Sequence, residues 1–179
     1  MKNSNKYILY LAAFICGILF FLIYKNILVI KFLSFSNQNS FFTGNTVIKK
    51  NITFYYWKDE KIYSEKKEFV WLSDKSETLK HFTNEWLSIL LQENIIKKRV
   101  ILNSVALNKE QDVAFMSFDQ PIVDLSWSIF DKWNCIESLL KSIKESDFKI
   151  KEIVFLVNHK PMKDEHLDFS KAWSILGFY

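Results

Sequence analysis

Four side chains near the C-terminal end have the types that bind metal. His159, Asp164, His166 and Asp168 fall within ten residues, and two imidazoles with two carboxylates can ligate zinc. Their spacing matches no zinc signature, and the chain would have to fold back sharply to converge them. They are read as a polar turn, with Asp168 capping a short helix near Ser170, and no metal site is assigned. Ser138 and Lys141 form Ser-x-x-Lys, the spacing of the nucleophile and lysine of penicillin-binding enzymes. No Ser-Asp-Asn or Lys-Thr-Gly segment accompanies them, so no catalytic serine is assigned. Ser126, Cys135 and His81 suggest no triad, and no Gly-rich turn offers a phosphate cradle. The expectation is a protein without catalytic residues, metal or cofactor. An envelope hydrolase is the alternative, and it requires Ser138 or the 159–168 cluster to meet in a cleft or around a metal.

Recognition is a better use for the aromatic side chains. All six tryptophans lie beyond residue 50: Trp57, Trp71, Trp86, Trp127, Trp133 and Trp173. Trp86 and Trp133 fall on helical stripes and belong in a core. Trp127 follows the segment 121–126 and can line an exposed groove, where an aromatic anchors a protein or a glycan. Capping the core is the competing role for it. Trp127, Trp57 and Trp173 are the candidate partner-binding residues.

Charge narrows the class of partner. The chain has 24 basic and 20 acidic residues, a net +4. Lys2, Lys6, Lys25 and Lys31 precede residue 37, where no acid occurs, and they account for the whole excess. The remainder is neutral, so it lacks the basic footprint of a nucleic-acid binder. Lys97-Lys98-Arg99 is a local cluster, read as a solvated loop. Cys16 and Cys135 lie in different segments and are not expected to pair, which leaves the redox compartment open.

The N-terminal segment carries the membrane reading. Residues 7–24 contain no charge over 18 positions, which spans roughly 27 Å as a helix, close to a hydrocarbon core. Tyr7, Tyr10 and Tyr24 sit near its ends, as interfacial aromatics do. Tyr24-Lys25-Asn26 offers no small-residue cleavage site, Cys16 follows Phe14-Ile15 rather than a lipobox, and the segment has no polar face to mark a core helix. An uncleaved single-pass anchor over 7–33 is therefore expected, after a cytoplasmic N-terminus 1–6 and before a linker 34–50. Flanking lysines nearly tie on orientation. A short lysine-bearing N-terminus favours a domain outside the cytoplasm.

Residues 51–179 form the domain that must position any site. Residues 52–57 and 62–72 read as strands around a turn at Lys58-Asp59-Glu60-Lys61. Asp74 with Glu77 resembles a capping box, and Leu79, Phe82, Trp86, Leu87, Leu90 and Leu91 follow at helical spacing to about Asn94. Residues 100–107 and 113–118 read as a hairpin that Pro121 ends. A second helix is expected over 125–145, with Ile129, Trp133, Ile136, Leu140 and Ile143 as its stripe. Residues 153–157, IVFLV, read as a central strand. The order is ββαββαβ, an α+β fold with a mixed or antiparallel sheet and both helices packed on it.

These elements resemble the GerMN domain of sporulation, germination and cell-envelope proteins. The matching features begin with the aromatic strand Phe54-Tyr55-Tyr56, the Leu-rich helix, and the hairpin with Ser104-Val105 and Val113-Ala114-Phe115. Ile136 to Ile143 is similar to the family's second helix, Val154 to Pro161 to its last strand and turn, and His166-Leu167-Asp168-Phe169-Ser170 to its closing motif. The resemblance covers about residues 51–174. Asn158-His159 replaces the family's glycine, and Asn tolerates the left-handed backbone that turn needs. Family members are often lipoproteins or tandem copies, whereas this chain reads as a single copy on a transmembrane anchor. The resemblance implies an extracytoplasmic module with an assembly, sporulation-like or envelope-binding role and no established catalysis. An envelope protein or peptidoglycan is then the expected partner, with self-assembly into rings or filaments as the alternative.

Overall fold

Residues 48–177 are described by the computed structural model of the protein. Strand β1 (Ile48–Lys58) pairs antiparallel with β2 (Lys61–Trp71) along its full length, from Ile48 opposite Trp71 to Lys58 opposite Lys61. The two-residue turn places Asp59 at φ 48° and Glu60 at φ 59°. Positive φ at both positions matches the twist of the flanking strands. Ile52, Phe54 and Tyr56 alternate onto the buried face of β1, and Phe69 joins them from β2.

Helix α1 (Lys75–Gln92) begins where Asp74 caps it, its Oδ1 accepting the Glu77 amide at 2.7 Å. Leu79, Phe82, Trp86, Leu87 and Leu90 form its buried stripe, and Asn94 turns the chain with φ 58°. Strands β3 (Leu102–Leu107) and β4 (Val113–Phe118) make the expected antiparallel hairpin, with a bulge between Leu102 and Ser104. Asn108 organises the connecting loop, its Oδ1 accepting the amides of Asp112 and Val113.

Helix α2 (Ile129–Glu145) starts at Ile129, four residues after the expected Leu125. Ser128 is its N-cap, and the preceding turn closes when Asp124 Oδ1 accepts both the amide and the hydroxyl of Ser126. Side-chain capture of the backbone thus outcompetes a further helical turn. Strand β5 (Glu152–Val157) runs parallel to β4 and is central, with β4 on one side and β6 (Lys160–Pro161) and β7 (Trp173–Ser174) on the other. The connection from β4 to β5 through α2 is the crossover that parallel pairing requires. Asn158 and His159 turn β5 into β6 at φ 49° and 64°, as expected of an asparagine in place of glycine.

The fold is α+β with two helices, as the element order predicts. Two sheets are present rather than one: β1–β2 stands apart from the five-stranded mixed sheet of β3, β4, β5, β6 and β7. Helix side chains supply the reason. The Tyr55 amide donates to Ser142 Oγ of α2 at 2.8 Å, and the Tyr55 carbonyl accepts Trp86 Nε1 of α1 at 2.7 Å. At Tyr55, on the outer edge of β1, both backbone groups are thereby taken by helix side chains rather than by another strand. Helix α2 lies against β1, α1 lies against β3, and one apolar cluster joins all of them.

Strand β1 begins within the expected 34–50 linker. The N-terminus 1–6, the anchor 7–33 with Cys16, and the linker up to residue 47 lie outside the described residues. Among the described residues no helix is long and apolar enough to cross a membrane.

Candidate functional site

The segment 119–128 and the first turn of α2 bring exposed apolar side chains to one edge of the domain. Leu125 is 67% exposed, Ile129 52% and Phe130 62%. Trp57, at the end of β1, packs edge-to-face on Phe130 with ring centres 5.3 Å apart. Its Nε1 donates to Asp131 Oδ1 at 2.9 Å, while Ser128 Oγ donates to Asp131 Oδ2 at 2.6 Å. The hydrogen bonds from Ser128, then from Trp57, hold the Asp131 carboxyl below its ordinary value against the opposing effect of burial. A fixed negative charge therefore sits in the first turn of α2, where the helix dipole favours it.

Trp127 is partly buried against the core and walls two clefts. One, of about 210 Å³, is bordered by Trp57, Glu93, Asn94, Asp131 and Cys135. Lys58 bridges Glu93 at 2.9 Å on its rim. The other, of about 320 Å³, has Ile96, Val100, Ile122 and Val123 as its floor and Lys97 and Lys98 on its rim. Both are at or below the low end of small-molecule pockets, roughly 300–1,000 Å³. They suit the insertion of side chains from a larger partner.

Trp57 and Trp127 share this face. Trp173 does not: it is 4% exposed and lies in the core, stacked on Phe169 at 5.2 Å and tilted against Trp133 at 5.3 Å. Its indole donates to the Asp168 carbonyl, so it fastens the closing segment to the sheet. Of the polar residues near the C-terminal end, His166 stays beside Asp164, its Nδ1 4.0 Å from Oδ1, while His159 and Asp168 are engaged elsewhere. The Asp164 carboxylate is buried against Lys132 at 2.6 Å, His159 holds the β5–β6 turn through its amide to Ser117 Oγ, and Asp168 accepts from Ser170. Asp168 closes a turn rather than capping a helix, since no helix follows Glu145 among the described residues. No group of three or more His, Cys, Asp and Glu side chains that could hold a metal occurs among the described residues.

The Ser-x-x-Lys pair points two ways. Ser138 is buried and donates to the Cys135 carbonyl at 2.7 Å, whereas Lys141 lies over the Tyr55 ring at the surface, 4.5 Å from its centre. Burial pushes the Cys135 thiol up to about 12, so it is held as the un-nucleophilic thiol. His81 stacks on Phe69, and Ser126 is committed to Asp124. The side chains that the hydrolase alternative needs do not converge.

Two features escape the sequence. One is the ion pair Lys132–Asp164, with both side chains almost wholly buried. Burial alone would raise the Asp164 carboxyl, but the Lys132 ammonium and the amides of His166 and Leu167 bring it below its ordinary value. Its signal was available: Lys132 lies three residues before Cys135 and four before Ile136, inside the apolar stripe of α2. The other is the exposure of Phe130 and Leu125, which periodicity alone cannot distinguish from core.

The described residues thus define an α+β domain with an aromatic-edged, doubly cleft surface. No protein-family model matches this chain, and no curated protein sequence matches it. Among solved structures it is similar to a chain described as a "Putative Lipoprotein from Clostridium perfringens", at 19% identity and a TM-score of 0.41, over 72% of this chain and 87% of that one.

Proposed function

We propose that the protein is a membrane-anchored, non-enzymatic binding or assembly module of the GerMN kind, with its domain outside the cytoplasm. It holds an envelope partner, protein or peptidoglycan, on the face built by Trp57, Trp127 and Phe130. One observation carries this reading: large apolar side chains stand exposed around two clefts, on a frame fixed by the Trp57–Asp131–Ser128 hydrogen bonds. Exposed aromatics beside pre-formed clefts are the usual anchors of recognition surfaces. The test is site-specific photocrosslinking in intact cells. A benzoylphenylalanine at position 130 is expected to give one discrete adduct, and the same probe at exposed Lys66 on β2 is not. No adduct at 130, or the same adducts at both positions, would refute this face as the binding site.

Self-assembly is the second reading, and the edge of β2 favours it. Among the described residues β2 pairs with β1 alone, so its outer edge offers 11 residues of strand for pairing with another copy. Lys61, Lys66 and Lys67 blunt that edge. Light scattering from the full chain in detergent decides: a strictly monomeric protein at high concentration excludes this route.

A further inference from the structure

The two clefts beside Trp127 differ in charge, and the difference bears on the chemistry of the partner. The 320 Å³ cleft has an apolar floor of Ile96, Val100, Ile122 and Val123, with exposed Leu125 at its mouth. Lys97 and Lys98 stand on its rim, and Arg99 follows them on the adjoining surface, all three exposed. Among the described residues none of the three has a carboxylate within ion-pair distance. The cleft's own acid is Asp124, whose Oδ1 is engaged by the amide and hydroxyl of Ser126 and which offsets part of the charge of Lys97 and Lys98 from beyond ion-pair distance. Asp119 is likewise occupied, its Oδ1 accepting the Ile101 amide. Three neighbouring cations therefore face solvent on a domain that is neutral as a whole.

The cleft is also held open as built. Gln120 Nε2 donates to the Arg99 carbonyl at 2.6 Å, and Ile101 and Asp119 exchange hydrogen bonds through the Ile101 amide and carbonyl. These bonds latch the 96–101 segment to the 119–122 segment, so little ordering remains to be done when a ligand enters.

We infer that this cleft takes a segment of a partner protein whose apolar side chains are flanked by carboxylates. The inference deepens the proposed binding face and rests on it. An apolar floor selects apolar side chains, and a rim on which Lys97 and Lys98 outnumber Asp124 selects the acidic flank through complementary potential. The chain's own N-terminal segment fits poorly, because residues 1–47 contain Lys2, Lys6, Lys25 and Lys31 and no acid. It has the same sign as the rim. Nucleic acid fits poorly as well, since three cations on a neutral domain are too few to follow a phosphate backbone.

The test uses the full chain in phosphatidylcholine nanodiscs, which present neither detergent nor anionic lipid to the cleft. Two fluorescein-labelled peptides of identical Leu and Phe content are titrated, one with Glu and one with Lys at the intervening positions, and anisotropy is read. The Glu peptide is expected to bind at least roughly 10-fold more tightly than the Lys peptide. The triple substitution Lys97→Glu, Lys98→Glu, Arg99→Glu is expected to reverse that order, with circular dichroism unchanged because all three side chains are exposed. Raising salt should shrink the difference. Leu125→Ser should weaken both peptides alike. Equal binding of the two peptides, or an order that survives the triple substitution, overturns the inference. The binding face still stands in that case if Leu125→Ser weakens both. Binding of neither peptide also overturns it, and the adduct at position 130 then reports separately on the face. Vesicles containing phosphatidylglycerol, or solubilised peptidoglycan, that compete better than the Glu peptide would assign the cleft to a lipid or a glycan and overturn it too. So would dimerisation that the triple substitution abolishes.

Discussion

Asp164 is the residue whose loss should cost the domain most for its size. Its Oδ2 accepts Lys132 Nζ at 2.6 Å, and its Oδ1 accepts the amides of His166 at 2.9 Å and Leu167 at 3.0 Å. Lys132 is 0% exposed. Asp164→Ala leaves that ammonium buried without its carboxylate and removes the acceptor of both amides. Breaking a buried pair from one side costs about 3–5 kcal/mol. A value near 4 kcal/mol is expected here, a large share of the roughly 5–15 kcal/mol that stabilises a domain. The midpoint of thermal unfolding should fall by about 10–15 °C. Lys132→Met should cost less, about 2–3 kcal/mol, because the stranded carboxylate keeps both amide donors and can take up a proton. The double variant should then cost less than the sum by about 1–3 kcal/mol, since the two changes remove the same interaction. Urea unfolding of the full chain in micelles, followed by tryptophan fluorescence, measures all three. A cost below about 1 kcal/mol for Asp164→Ala, or strict additivity in the double variant, would refute the claim that this pair holds the closing segment onto α2.

The same pair sets a pH dependence. The Asp164 and Asp131 carboxyls are both held below their ordinary value, so the stability they contribute is complete above the unfolded carboxylate pKa of about 3.9 and is lost as pH falls through the folded value. Unfolding free energy should decline steadily below about pH 5, and Asp164→Asn should flatten that decline. Cys135, with its thiol pushed up to about 12, should resist a thiol reagent at pH 8 in a Cys16→Ser background and react fully in denaturant. Prompt labelling of the native protein would contradict its burial. Ser142→Ala should destabilise the domain by about 1–2 kcal/mol, since the Tyr55 amide loses its acceptor at the β1 edge. Equilibrium unfolding checks this, and an unchanged midpoint would mean that water replaces the hydroxyl.

Local chemistry made much of the fold legible before any tertiary contact is considered. Asp74 captures the Glu77 amide without help from distant residues, so the start of α1 can be read from the residues themselves. Asp59-Glu60 and Asn158-His159 form two-residue turns because Asp59 and Asn158 tolerate positive φ and the twist of the flanking strands favours it at both positions. Residues 52–57 read as a strand from their β-rich alternation, and the hairpin of β3 and β4 follows from two apolar runs around a polar loop. The same kind of pattern misplaces the start of α2. Apolar periodicity runs back to Leu125, but Asp124 and Ser128 divert the backbone before Ile129.

The candidate site depended on which face each aromatic meets, and spacing does not carry that. Trp57, Trp127 and Trp173 are alike as residues. Only packing sends Trp173 between Phe169 and Trp133 while leaving Trp57 beside Phe130 at an open cleft. The separation of two sheets is likewise a tertiary outcome: Ser142 and Trp86 reach Tyr55 from two different helices and take up its backbone groups at the outer edge of β1. The element order as far as β5, most of the turns and a domain without net charge follow from neighbouring residues and simple counts, whereas the short strands β6 and β7 exist only through pairing with β5. Which charges are buried together, which apolar side chains stay exposed, and that Lys97 and Lys98 border an apolar cleft are settled by packing alone. Burial and ion pairing are relations between residues far apart in the chain, and a linear pattern carries no distance between them.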